Sequence, residues 1–112
     1  MDKVTVTVTK KHFDVARKTC LKDPLTWHIS KACLVAQAVR AALPRKAICV
    51  GYNSVMIGRA DEIRFILPRK IIALINRFDN WIRSGFDEAN AHRLRNSLPV
   101  TFTMKKDPRW HT

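Results

Sequence analysis

The sequence predicts a small α+β domain, a mostly antiparallel sheet of about four or five strands covered by two amphipathic helices. Three observations carry this prediction: valine and threonine alternate near the start, two long segments have apolar residues at helical spacing, and short β-branched segments lie between turn residues. A length of 112 residues fits one domain. We expect residues 1–104 to form that domain and residues 105–112 to form a basic tail without a folding signal of its own.

The first half of the chain begins with the alternation over Val4–Thr9, which predicts a strand with its valines in the core. A short helix is expected over Lys10–Lys18. Asp23 and Pro24 form a helix-start signal, and the apolar residues from Leu25 to Leu43 repeat at helical spacing, so this segment predicts a long helix.

The second half reads as a meander followed by helices and a closing strand. The predicted elements are two strands and a turn within 47–59, a strand at 63–67, a helix opened by Pro68 and stopped by Gly85, a short helix at 88–94 and a strand at 99–104.

The cysteines and histidines do not predict a metal site. Cys20, Cys33 and Cys49 stand far apart, and no histidine forms a short pair with any of them. An odd cysteine count also favours a reducing compartment. We expect Cys33 and Cys49 in the core and Cys20 on a polar surface.

No segment has the pattern of a catalytic site. The region around Ser54 is not a nucleophile elbow, and the three glycines do not form a phosphate-cradling loop. We therefore expect no enzymatic activity, no cofactor and no metal. The chain start lacks a secretory pattern and no apolar run is long enough to span a membrane, which predicts a cytoplasmic protein with no membrane partner.

The most unusual property of this sequence is its large positive charge. Lysine and arginine number 21 against 9 acidic residues, a formal net charge of +12. An excess of this size favours an anionic partner, which is either a nucleic acid or an acidic protein. Many basic residues occur in doublets near predicted element ends, where phosphates are within reach; Arg93 and Arg95 add to them. The candidate anion-binding residues are Lys10, Lys11, Arg17, Lys18, Arg45, Lys46, Arg69, Lys70, Arg77, Lys105, Lys106 and Arg109.

Two tryptophans are candidates for contact with a partner. Trp27 lies one residue off the apolar stripe of its predicted helix, and Trp110 lies in the tail. An exposed tryptophan beside arginine can stack on a base or anchor a protein partner. The alternative is that both simply cover the edge of a small core.

Short motifs along the chain carry a resemblance to one group of proteins. The motifs are Val4–Thr7, His12–Asp14, Cys20, Cys33–Ala38, Val50–Gly51, Phe65–Pro68, Phe78–Asp79 and Pro99–Phe102. Together they resemble small uncharacterised proteins of bacteriophages and bacterial mobile elements. In that group, a strand and an HxD turn precede a helix with Cys and Ala, a VG strand, an LP helix with FD near its end, and a PxxF strand. The resemblance implies a phage-type accessory protein in a host cytoplasm and carries no function; the basicity of this chain departs from the pattern.

These observations leave two classes of function open. The leading expectation is a non-enzymatic protein that binds the phosphate backbone of nucleic acid without sequence specificity, since no DNA- or RNA-reading motif is present. The alternative is a protein that binds and inhibits a host or defence protein, or a virion component. Exposed strand edges also leave a homodimer open.

Overall fold

The computed structural model describes residues 2–22, 33–44, 46–51, 53–59, 63–85 and 87–110. In chain order the elements are β1 (Lys3–Val8), α1 (Lys10–Lys22), α2 (Leu34–Ala42), β2 (Ile48–Val50), β3 (Ser54–Ile57), β4 (Ile63–Ile66), α3 (Arg69–Arg83), α4 (Glu88–Asn96) and β5 (Val100–Lys106). The predicted α+β class is confirmed.

The sheet has five antiparallel strands in the order β1-β5-β4-β3-β2. The alternation of β1 gives it two different faces, because successive side chains of a strand point to opposite sides. Val4, Val6 and Val8 are buried, whereas Thr5 and Thr7 are exposed. The sheet therefore has an inner face in the core and an outer face toward solvent.

The sheet is curled into a half-barrel. Its two edge strands, β1 and β2, both contact α2, although three strands separate them in the sheet. Every described residue of α2 from Leu34 to Val39 except Gln37 is buried. Helix α2 therefore fills the concave side, and α1 and α3 pack against it.

An aromatic cluster joins α1 to α3. The ring of Phe13 lies 6.2 Å from that of Phe78 and 5.9 Å from that of Trp81, and the last two are 5.5 Å apart. Tilted and edge-on rings at these separations contribute beyond the area they bury. The apolar stripe predicted for α3 is buried throughout, as its spacing requires.

The prediction of one continuous helix from Leu25 to Leu43 is wrong. Cys33 has extended backbone, with φ −66° and ψ 164°, and serves as the N-cap of α2 by accepting a hydrogen bond from the Ala36 amide at 3.4 Å. Cys33 is fully buried, so the helical spacing of apolar residues continues through it and does not reveal that a helix begins there. The segment 23–32, with the predicted helix start, lies outside the described residues.

Two further expectations are corrected by burial. Cys20 is buried because α1 continues to Lys22, which places it one turn beyond Ala16 on the core side. Cys49 is only half-buried, since it points to the outer face of β2. Cys33 is buried as predicted, and its burial raises the pKa of the thiol to about 11.

The segment predicted as a tail contributes to the sheet. β5 continues through Lys105 and Lys106, and the next residue, Asp107, is buried. The Asp107 carboxylate accepts a hydrogen bond from the Arg64 guanidinium at 2.6 Å. That partner is 43 residues away in the sequence, so local pattern did not indicate it.

Candidate anion-binding site

Helices α3 and α4 meet along a seam that Trp81 holds together. Trp81 is buried, and its indole Nε1 donates a hydrogen bond to the carbonyl of Asp87 at 2.8 Å. Gly85, with φ +88°, permits the tight turn between the helices. The Asp87 carboxylate then caps α4 by accepting from the Ala89 amide. These contacts place α4 beside the C-terminal half of α3.

A groove of about 360 Å³ follows this seam on its solvent side. We call it the α3–α4 groove, and its lining residues are Arg77, Asn80, Trp81, Ser84, Asn90, Arg93 and Leu94. Trp81 and Leu94 are buried and form its floor. The other five side chains all carry hydrogen-bond donors. Ser84 donates its hydroxyl to the Trp81 carbonyl and Asn90 donates to the Asp87 carboxylate, so the groove is a polar cleft over an apolar base whose donors come mainly from Arg77, Asn80 and Arg93.

The charges of Arg77 and Arg93 are not compensated by a carboxylate within the described residues. The neighbouring carboxylates have other partners, which are Arg83 for Asp79, at 3.2 Å, Arg17 for Glu88, and the Ala89 amide and Asn90 side chain for Asp87. A guanidinium presents planar, paired donors that match phosphate and carboxylate oxygens. Two of them in one groove make it suited to an anion.

Lys70 connects the N-terminal end of α3 to the sheet. Its ammonium donates a hydrogen bond to the carbonyl oxygen of Thr101 at 2.7 Å. The Thr101 hydroxyl in turn lies 2.9 Å from that of Thr7 on the outer face. A basic side chain on α3 thus reaches the backbone of β5 at Thr101.

The exposed part of β1 and β5 is a polar surface, which we call the threonine face. Thr5 pairs with Thr103 and Thr7 with Thr101, and their hydroxyls lie 3.1 and 2.9 Å apart. Lys3 lies opposite Lys105 at the far end of the same register. The surface combines hydroxyl groups with two lysines and has no acidic side chain in the paired register.

The structure does not gather the predicted basic residues on one surface. Lys10, Lys11 and Lys18 are exposed on α1, Arg69 and Lys70 on the first turn of α3, Lys105 and Lys106 at the end of β5, and Lys46 before β2. Arg109 lies with Trp110 in a hollow beside β4. Arg17 is ion-paired with Glu88, so its charge is compensated. Arg45 and Trp27 lie outside the described residues.

A second groove, of about 380 Å³, lies between α1 and α2 and includes Lys11, His12 and Arg40. His12 does not add a positive charge there. Burial, reinforced by the neighbouring Lys11, lowers the pKa of His12, and its Nδ1 accepts a hydrogen bond from the Thr9 amide at 3.0 Å. We take the α3–α4 groove as the candidate anion site because both of its cations are guanidiniums with no carboxylate partner among the described residues.

Most residues of the α3–α4 groove were not predicted as a site. Arg77 was predicted, but Arg93 was noted only as an additional basic residue, and the polar members Asn80, Ser84 and Asn90 were not predicted at all. The spacing of Asn90, Arg93 and Leu94 on α4 places them on one helical face. The spacing predicts that these three residues lie on the same face of α4. The packing of α4 on α3 is needed to show that this face lies beside Arg77.

No protein family, curated protein or solved structure matches the chain in the comparisons made. Across the described residues, no three histidine, cysteine or acidic side chains come together as metal ligands. None of the helices in the described part of the chain is long and apolar enough to cross a membrane.

Proposed function

We propose that this chain is a non-enzymatic protein that binds the phosphate backbone of nucleic acid without reading its sequence, with the α3–α4 groove as its principal contact. The observation that carries the proposal is the convergence of Arg77 and Arg93 on one donor-rich groove without a carboxylate partner among the described residues. A net charge of +12 adds long-range attraction toward a polyanion. The phage context remains a prediction from the resemblance alone.

The dispersal of the other basic residues argues against base reading and also against one continuous phosphate-binding face, so the proposal depends on the α3–α4 groove. Cations on several surfaces attract a polyanion without defining a register, whereas sequence readout needs side chains aligned to base edges in a groove. Lys70 and the threonine face carry further donors of the kind that contact phosphate and sugar.

The test is a titration of labelled random-sequence DNA and RNA by fluorescence anisotropy at two salt concentrations. The double variant Arg77→Ala/Arg93→Ala should lower affinity about tenfold at low salt and reduce the slope of log K against log salt by about 2, because two phosphate contacts are lost. The matched control is Lys22→Ala/Arg59→Ala, which removes the same charge from exposed positions that are not among the candidate anion-binding residues and should change affinity much less.

Absence of binding by the unmodified chain at low salt would contradict the proposal. Equal losses in the two double variants would instead show that binding depends on overall charge, and would reject the groove as the principal contact. An acidic protein partner predicts the first of these outcomes, together with a complex that withstands moderate salt.

A further inference from the structure

The last described residues form a fixed turn against the outer face of the sheet. The Asp107 amide donates to the carbonyl of Arg64 at 2.8 Å, and the Asp107 carboxylate accepts from the Arg64 guanidinium at 2.6 Å and from the Arg109 amide at 2.9 Å. The Trp110 amide donates to the carbonyl of Asp107 at 3.3 Å. These four hydrogen bonds order a segment that would otherwise fray at the chain end.

This turn places the Trp110 ring over a charged group. The guanidinium carbon of Arg64 lies 5.8 Å from the ring centroid, within the range of a cation–π contact. Arg64 is oriented by Asp107 and by the Asn53 side-chain oxygen, at 3.5 Å. These contacts hold the Trp110 ring in a defined orientation against the outer face of the sheet, and we call this ring the aromatic wall.

A hollow of about 600 Å³, which we call the tail pocket, opens beside this wall. Its lining residues are Asn53, Arg64, Ile66, Leu67, Ile72, Asp107, Pro108, Arg109 and Trp110. Ile66 is 45% exposed, one of three large apolar side chains in the described chain that are exposed to this degree. A hollow of this volume that combines apolar and aromatic side chains with polar groups is typical of a small-molecule site.

We propose that the tail pocket takes one base of a single-stranded nucleic acid, stacked on Trp110 with Arg109 toward its phosphate. This inference rests on the proposed backbone binding and narrows it to single strands, because a base in a duplex is stacked on its neighbours and does not reach such a pocket. Arg64 and Arg109 outnumber Asp107 in the lining, so the pocket carries net positive charge, which favours a nucleotide over a neutral apolar group.

The exposed surface of α3 joins the tail pocket to the α3–α4 groove. Ile72 lines the pocket and Arg77 lines the groove. Ala73 lies between them in the helix and Arg69 lies one turn before Ala73; both are exposed, and each step from Ile72 to Arg69, Ala73 and Arg77 is three or four residues. Such neighbours lie about 5–6 Å apart on a helix, so a strand of a few nucleotides spans the path.

The experiment compares a twelve-nucleotide oligothymidylate with an abasic oligonucleotide of equal length, which has the same phosphates and no bases. The unmodified chain should bind the oligothymidylate about tenfold more tightly. Trp110→Ala should abolish that ratio and Trp110→Phe should retain part of it. Leu21→Ala, which removes an exposed apolar side chain from α1, should leave the ratio as it is.

The outcomes separate the two proposals. Equal affinity of the unmodified chain for both oligonucleotides would overturn the base pocket and leave backbone binding standing, and so would a Trp110→Ala variant that keeps the full ratio. Failure to bind either oligonucleotide would overturn backbone binding itself. Arg77→Ala/Arg93→Ala should weaken both complexes by the same factor, and a loss confined to the oligothymidylate would reject the assignment of phosphates to the α3–α4 groove.

Discussion

Asp107 shows how one residue changes the role of a chain segment. It is a buried carboxylate that accepts hydrogen bonds from the Arg109 amide and the Arg64 guanidinium. The backbone hydrogen bond from Arg109, followed by the interaction with Arg64, lowers the pKa of Asp107 below its ordinary value of 3.8. A carboxylate that binds both donors keeps the final turn on the sheet and gives Trp110 its position.

We predict that Asp107→Asn lowers Tm at pH 6 and that this difference disappears at low pH. A lowered pKa in the folded state contributes stability above pH 3.8, and the contribution is lost as pH falls through the lower folded value. Thermal unfolding by circular dichroism between pH 6 and pH 2 measures the difference. Asp2→Asn is the control, since the Asp2 side chain has no ion-pair partner among the described residues. A difference in Tm that is constant with pH would contradict the prediction.

At the scale of elements, the turn between α3 and α4 determines whether the groove exists. Gly85 adopts φ +88°, a backbone conformation that strains any residue with a Cβ. No atom lies within 4 Å of the position where a Cβ would stand, so the requirement for glycine is conformational and not steric. Helix α4 is also tied to α1, through the ion pairs of Asp14 with Arg95 and of Glu88 with Arg17.

We predict that Gly85→Ala destabilises the protein by about 1 kcal/mol, the cost of the left-handed conformation for a residue with a side chain. Gly85→Asn should cost less, because asparagine tolerates this region better. Urea denaturation followed by far-UV circular dichroism measures both variants. An alanine variant as stable as the unmodified chain would show that the turn does not hold this conformation in solution.

At the scale of the whole molecule, four of the nine acidic residues form ion pairs with neighbouring arginines in the described part of the chain. Four ion pairs in the described residues engage Asp14, Asp79, Glu88 and Asp107. The full chain has a net charge of +12, and most of the lysines and arginines among the described residues are outside these four ion pairs. Such a surface attracts polyanions and repels itself.

We predict that Tm rises when the salt concentration is raised from about 10 mM to about 150 mM, which shortens the Debye length from roughly 30 Å to 8 Å. Screening relieves repulsion among many lysines and arginines, and this gain exceeds the weakening of a few exposed ion pairs. Differential scanning calorimetry in sodium chloride measures the change. A Tm that falls over this range would mean that the ion pairs dominate.

The elements were predictable where one local rule acts on consecutive residues. The alternation of β1, the apolar stripe of α3 and the stop at Gly85 each depend on geometry within one element, and the structure confirms them. The prediction of a continuous helix from Leu25 was wrong because a buried apolar residue at position 33 fits either the middle of a helix or an N-cap. The spacing of apolar residues indicates which side of a segment is buried, but it does not indicate whether the segment is one continuous helix.

By itself, the sequence determined the α+β class, the inner and outer faces of the strands and the excess of positive charge. The tertiary structure alone decided which cations act together. It brought Arg93 to Arg77, paired Arg17 with Glu88 and joined Arg64 to Asp107, across separations of up to 71 residues. The net charge depends only on how many residues of each type the chain has. A binding site requires particular residues to lie close together, and the packing of helices and strands brings them there.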